Sequence, residues 1–272
     1  MKVKILLTNK EEEVVELEKV EYLLGMTAFM CKEDIEQGVK AINPLTKEKV
    51  KVLKGNQNRI IVPAHNKEDY ELAKKNNLQI KQVVAPYFAG YGNEKVKENM
   101  PVQRRKSVIA ILSNMKKDKI LCLDCKGRTT RSFILGGIEE GETPEEAAIR
   151  ETREETGYID VKINFTSNYR VIRHFYADYK GVNRYAYLNI LFLSLNSEKR
   201  EEMSENEKTK HIPIWIEKDK VRNFITIDNN KYAFDMYLNG EKPYLDNGNI
   251  IIEGEYEGMT DIEARDIISK KI

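Results

Sequence analysis

Glu151, Glu154 and Glu155 stand three and four residues apart, so a helix running through them gathers their carboxylates on one face. Left alone they repel, at roughly 0.2–0.5 kcal/mol per like-charged pair. No basic helix residue is expected on that face, so a hard divalent cation is the natural counter-charge. An all-oxygen ligand set favours Mg²⁺, or Mn²⁺ in its place, over zinc. The helix has clear ends. Thr143 can cap it, Pro144 takes its first position, Glu146 closes a capping box and Gly157 stops it. Ala147 and Ala148 flank the carboxylates and are expected to leave room for a bulky ligand. Upstream, Gly136, Gly137 and Gly141 allow close backbone approach to phosphate. The competing reading is a solvated acidic face, common in a chain with 33% charged residues.

The spacing decides between them. From Gly136 five residues lead to Glu142, seven more to Arg150-Glu151, and Glu154-Glu155-x-Gly157 follows. This resembles the Nudix box, G-x5-E-x7-R-E-U-x-E-E-x-G-U, where U is bulky and apolar. Every charged and glycine position matches; Thr152 and Tyr158 depart from the usual aliphatic residues. The resemblance implies Mg²⁺-dependent cleavage of a pyrophosphate bond in a nucleoside diphosphate linked to another moiety. Glu151, Glu154 and Glu155, with Gly136, would form the metal site, and Arg150 would orient a carboxylate. Glu142 would be an auxiliary group for metal or substrate. A glutamate of a distant loop, Glu201, Glu202, Glu205 or Glu207, is a candidate for taking the proton of the attacking water. Tyr169, Arg173, His174, Phe175, Tyr176, Tyr179 and Arg184 form an aromatic and basic cluster suited to a base and a phosphate, with Arg173, Tyr176 and Arg184 foremost.

Strands must surround such a loop and helix. Residues 107–112 and 119–124 read as a hairpin, 131–135 leads into the box, and 161–165, 169–175, 184–195 and 212–216 alternate or run apolar as strands do. A charged loop over 196–210 and a helix from 219 complete an α+β unit: a mixed sheet between helices, the α/β/α sandwich, over 101–223.

The flanks read differently. Residues 42–50 (I-N-P-L-T-K-E-K-V), 59–74 (R-I-I-V-P-A-H-N-K-E-D-Y-E-L-A-K) and 80–86 (I-K-Q-V-V-A-P) resemble the editing domain of leucyl-tRNA synthetases. Gly25-Met-Thr-Ala-Phe29 and the 248–268 segment extend the likeness. A β-rich editing-like domain over 1–100 and 224–272 would thus be interrupted by the Nudix unit. In that family a threonine-rich stretch lines the pocket for the ester-linked amino acid. Here its threonines become Leu17, Glu18 and Tyr22, while Asp69, whose family counterpart fixes the α-amino group, is kept. An aminoacyl-tRNA trans-deacylase, or a module binding tRNA or an aminoacyl-adenylate, is the alternative function. The H-I-G-H and K-M-S-K-S signatures of aminoacylation are absent.

Composition adds bounds. Lysine and arginine total 45 against 44 acidic residues, a net charge of +1 that does not favour tRNA as partner; a nucleotide-type small molecule is expected. No apolar run suffices to span a bilayer, no signal-peptide core is seen, and 3 cysteines make no disulfide framework, so a cytoplasmic protein is expected. Cys122-Leu-Asp-Cys125 reads as ordinary strand, and His65, His174 and His211 are too scattered to suggest ligands.

Overall fold

The computed structural model describes residues 1–238 and 249–250, and the chain divides into two units, Met1–Pro86 with Lys242–Ile272, and Tyr87–Glu241. In the first, β1 (Lys2–Leu7) alternates exposed and buried, turning Val3, Ile5 and Leu7 inward. It pairs antiparallel with β2 (Glu12–Glu16). With β3 (Ala28–Cys31), β4 (Lys40–Ile42), β5 (Lys49–Lys54) and β6 (Arg59–Ile61) it makes a 6-stranded sheet ordered β2-β1-β4-β5-β3-β6. Only β3 and β5 run parallel. Helix α1 (Lys67–Asn76) starts where expected, with Asn66 Oδ1 accepting from the Asp69 N–H at 3.1 Å. β7 (Val84–Ala85) pairs antiparallel with Asn249–Ile250. The rest of the 248–268 likeness lies outside the described residues.

The second unit carries β8 (Tyr87–Ala89), β9 (Val102–Ser113), β10 (Lys119–Cys125), β11 (Arg131–Ser132) and β12 (Ile134–Gly137) ahead of α2 (Pro144–Thr156). Next come β13 (Val161–Ala177), β14 (Val182–Leu195), α3 (Glu205–Lys210), β15 (His211–Glu217), α4 (Val221–Phe224) and α5 (Asp228–Leu238). The strands form one 8-stranded mixed sheet: β14 runs parallel to β9, β13 antiparallel to β14, β8 parallel to β13, and β12 pairs with β9. Strand parity sorts its two faces. Val108, Ala110 and Leu112 pack under α2 with Ala147 and Ala148, while Phe133 meets Phe234 and Phe192 meets Tyr237 under α5. Helices therefore cover both faces of a mixed sheet.

Several expectations are corrected. β9 and β10 share a single rung, Ser113 with Ile120: β12 pairs with residues 107–110 of β9, and β11 pairs with Leu123 and Asp124 of β10, whose opposite edge pairs with β15. The two strands expected over 161–175 are one, bent by register shifts after Ile163 and Thr166. The charged loop contains α3, capped by Ser204. The unit boundaries fall at 86/87 and 241/242 rather than at 100/101 and 223/224, because β8 joins the edge of the larger sheet beside β13 and α5 packs on that sheet.

Candidate active site

The capping box forms as the sequence requires. Thr143 Oγ1 accepts from the Glu146 N–H at 3.2 Å, Glu146 Oε2 accepts from the Thr143 N–H at 2.8 Å, and Gly157 closes α2 in a left-handed conformation. Thr152, at a position usually aliphatic, stays buried by donating its hydroxyl to the Ala148 carbonyl at 2.6 Å. Tyr158 accepts from Trp215 Nε1 at 2.9 Å.

The glutamates separate in environment. Glu151 is buried at 9% exposure and Glu155 half-buried, accepting from the Leu135 N–H at 3.3 Å, whereas Glu154 is exposed. Burial pushes the Glu151 carboxyl up, opposed by Arg150; burial, then the Glu151 charge, raises Glu155 well above its ordinary range. Arg150 lies against this face, which helix spacing alone was expected to leave without a basic residue. Its Nη1 donates to Glu151 at 2.8 Å and to Glu154 at 3.4 Å, Nε and Nη2 grip Glu142 at 2.8 and 3.0 Å, and Nη2 also reaches the Gly137 carbonyl at 2.8 Å. Glu142 is thus a clamp for Arg150, which holds its carboxyl below the ordinary range. Ala147 and Ala148 leave no room for a ligand: both are fully buried against the sheet.

Gly136 and Gly137 form the strip beside these carboxylates. A Cβ on Gly136 would collide with the Glu151 side chain, and one on Gly137 with the Arg105 guanidinium. Beyond the strip lies a cavity of about 220 Å³ lined by Arg105, Arg173, Phe175 and Arg184. Register explains it. Ala186 pairs with Arg105 on one side and Arg173 on the other, and this small residue leaves space between two guanidinium-bearing neighbours. Arg184 is 8% exposed, donates to Tyr179 OH and Gln103 Oε1 at 3.0 Å each, and keeps a buried Nε without a partner. Arg173 is ion-paired with Glu94.

Tyr176 does not join this cavity. Alternation along β13 turns it to the other face from Arg173 and Phe175, where Lys97 sits 3.6 Å from its ring. Asp69, in the first unit, is 2% exposed and committed, one oxygen to Arg59 and the other to the Val62 N–H at 2.8 Å. Nearby, His65 accepts from the Val83 N–H at 3.0 Å and stacks on Tyr22, and Leu17 belongs to the core.

Two groups escaped the sequence. His211 is not scattered: β15 sets its Nε2 at 3.2 Å from the Glu155 carbonyl and 3.8 Å from Glu207, and the side chains of Glu155, Glu207 and His211 converge within 4.8 Å. Arg105 was hidden in the basic run 104–106. Among the loop glutamates, Glu201 is bound to Arg153 and Glu202 and Glu205 to Lys208, which leaves Glu207, itself paired with Lys210, as the one beside the box. Cys122 remains an ordinary strand residue, its thiol pushed up to about 12 by burial. No helix among the described residues is long and apolar enough to cross a membrane.

Residues 103–236 match the family described as NUDIX domain, and residues 9–110 match the family described as Leucyl-tRNA synthetase, editing domain. A leucine–tRNA ligase of Saccharophagus degradans is 42% identical over 67 residues, 22% of this chain and 8% of the ligase. One of Fervidobacterium nodosum is 43% identical over 63 residues, 20% of this chain and again 8% of the ligase. The chain thus spans only a small part of these curated relatives. Among solved structures, the E. coli dihydroneopterin triphosphate pyrophosphohydrolase is 17% identical, covering 52% of this chain and 99% of its own, with a TM-score of 0.38. A NUDIX-family hydrolase from Clostridium perfringens is 20% identical, covering 50% and 99%, with a TM-score of 0.37. Residues 103–236 carry a Nudix domain, and residues 9–110 an editing-domain-like segment.

Proposed function

We propose, from the Nudix hydrolase domain at 103–236, that this protein cleaves the pyrophosphate bond of a nucleoside diphosphate linked to another moiety. One observation carries this reading: two carboxylates one helical turn apart, Glu151 and Glu155, are drawn out of water against the glycine strip with their proton affinities raised. Such a pair is costly unless a cation neutralises it, and its oxygen-only donors, with exposed Glu154, suit Mg²⁺. Glu151, Glu154, Glu155 and the Gly136 backbone would hold the ion, which when bound neutralises phosphate charge and acidifies a water.

The chain's own groups supply the rest. Arg150 fixes Glu151 and Glu142 in one network, so their positions need not be found anew when substrate arrives. Arg105 and Arg184 face the adjoining cavity and hold the substrate's anionic part. Glu207 takes the proton of the attacking water as its oxygen bonds to phosphorus and the bridging P–O bond breaks. The editing-like segment is read as a scaffold, because Asp69 and His65 are already bonded within the first unit. Incubating the protein with nucleoside-diphosphate-linked substrates, with Mg²⁺ or with chelator, tests the reading. Equal rates in both conditions would refute it.

A further inference from the structure

One rung of the larger sheet leads away from the carboxylate site across four strands. Arg105 on β9 pairs with Ala186 on β14, Ala186 with Arg173 on β13, and Arg173 with Phe88 on β8. Side chains on a rung share a face, and strands lie about 4.8 Å apart, so Arg105 and Arg173 stand roughly 10 Å apart across the small Ala186. Arg184, two residues before Ala186, faces the same cavity. The three guanidiniums differ in what they meet. That of Arg105 lies against Gly137, and Arg184 donates to two neutral oxygens, Tyr179 OH and Gln103 Oε1. Arg173, two strands beyond Arg105, donates its Nη2 to the Glu94 carboxylate and stacks on Phe175, 4.5 Å from the ring centroid.

The backbone puts Glu94 there. Just past β8 the Gly90 N–H donates to the His174 carbonyl at 2.7 Å, and the 3-10 turn Gly92–Glu94 folds the chain back. A Cβ on Gly90 would collide with the Glu94 carbonyl and with the Phe175 Cβ, so only glycine permits so close a return. Tyr91 OH donates to the Thr226 carbonyl at 3.4 Å and ties the turn to the chain ahead of α5. The Arg173 side chain is 13% exposed and that of Glu94 35%, so the carboxylate stands at the outer end of the row of arginines. A row of arginines alone binds an anion more tightly the more charge it carries. A carboxylate at its end reverses that trend, because a phosphate reaching Arg173 must displace Glu94 or lie beside a like charge.

We propose that Glu94 is a specificity residue that ends the anionic part of the substrate, admitting a diphosphate along Arg105 and Arg184 and rejecting a third phosphate at Arg173. The proposal rests on the pyrophosphatase reading above and narrows its substrate class to a nucleoside diphosphate joined to an uncharged group, against nucleoside triphosphates. Calorimetric binding of inorganic pyrophosphate and tripolyphosphate in the presence of chelator tests it without turnover. Wild-type protein should bind tripolyphosphate no more tightly than pyrophosphate. In Glu94→Gln the ratio of tripolyphosphate to pyrophosphate affinity should rise at least about tenfold. A carboxylate that served only to hold Arg173 in place would give the opposite result, weaker tripolyphosphate binding in the variant. That result, or an unchanged ratio in a folded Glu94→Gln protein, would overturn the assignment. So would pyrophosphate that fails to bind the wild type, or a wild-type ratio already about tenfold in favour of tripolyphosphate, and both stand even where the variant fails to fold. Hydrolysis of a nucleoside-diphosphate-linked substrate with a ratio unmoved by Glu94→Gln sinks this assignment and leaves the proposed reaction standing; a shifted ratio without hydrolysis does the reverse.

Discussion

Gly136 and Gly137 are consecutive, yet they make room for opposite charges: the Glu151 side chain lies where a Cβ of Gly136 would be, and the Arg105 guanidinium where a Cβ of Gly137 would be. One pleat of β12 thus separates the carboxylate site from the arginine cavity.

Alanine at the two positions should therefore fail differently. Gly136→Ala must displace the buried Glu151 and should lower kcat and weaken the dependence on Mg²⁺. Gly137→Ala meets only the far end of a flexible arginine and should chiefly raise KM. Steady-state kinetics on both variants check this; the same pattern in each would contradict the division of labour.

Glu155→Gln should separate function from stability. The substitution removes a charge that is half-buried and repelled by Glu151, so the metal-free melting temperature should hold or rise. The rise in melting temperature that Mg²⁺ gives the wild type should vanish, and turnover should fall by two or more powers of ten, on the order of 10²–10⁴. Thermal denaturation with and without Mg²⁺ reads both effects.

Arg150→Lys should cost more than a conservative change suggests. A lysine cannot reach Glu142, Glu151 and the Gly137 carbonyl together as the planar guanidinium does. Turnover or metal affinity should drop about 10–100-fold with the fold intact. A Mg²⁺ titration of activity shows which of the two changes.

Much of this site was legible because it is local. The spacing from Gly136 to Gly157, the Thr143–Glu146 capping box and the helix-face glutamates depend only on neighbours within one loop and one helix. What failed is non-local. Tyr176 was placed with Arg173 because the register shifts of β13 and the face each residue takes are set by its partner strand. His211 reaches Glu155 only through the pairing of β15 with β10, and Arg105 becomes a cavity residue only because Ala186 lies opposite it. The unit boundaries moved for the same reason, since β8 and α5 carry no local mark of the sheet they join.

Asp69→Ala should be a stability variant of the first unit. It would leave Arg59 unpaired and the buried Val62 N–H without an acceptor, at about 1–3 kcal/mol. Denaturant unfolding measures the loss. Deacylation of mischarged leucine tRNA in chelator should be absent from wild type and variant alike; rapid deacylation lost in the variant would restore Asp69 as a functional residue.

The most direct test of the central claim is phosphorus NMR of a sugar-linked nucleoside diphosphate incubated with the wild-type protein. The account predicts that, with Mg²⁺, the pyrophosphate signals give way to those of two phosphomonoesters, and that chelator or Glu155→Gln prevents this. Pyrophosphate signals that persist across a panel of such substrates with Mg²⁺ present, or that disappear equally fast in chelator, would contradict it.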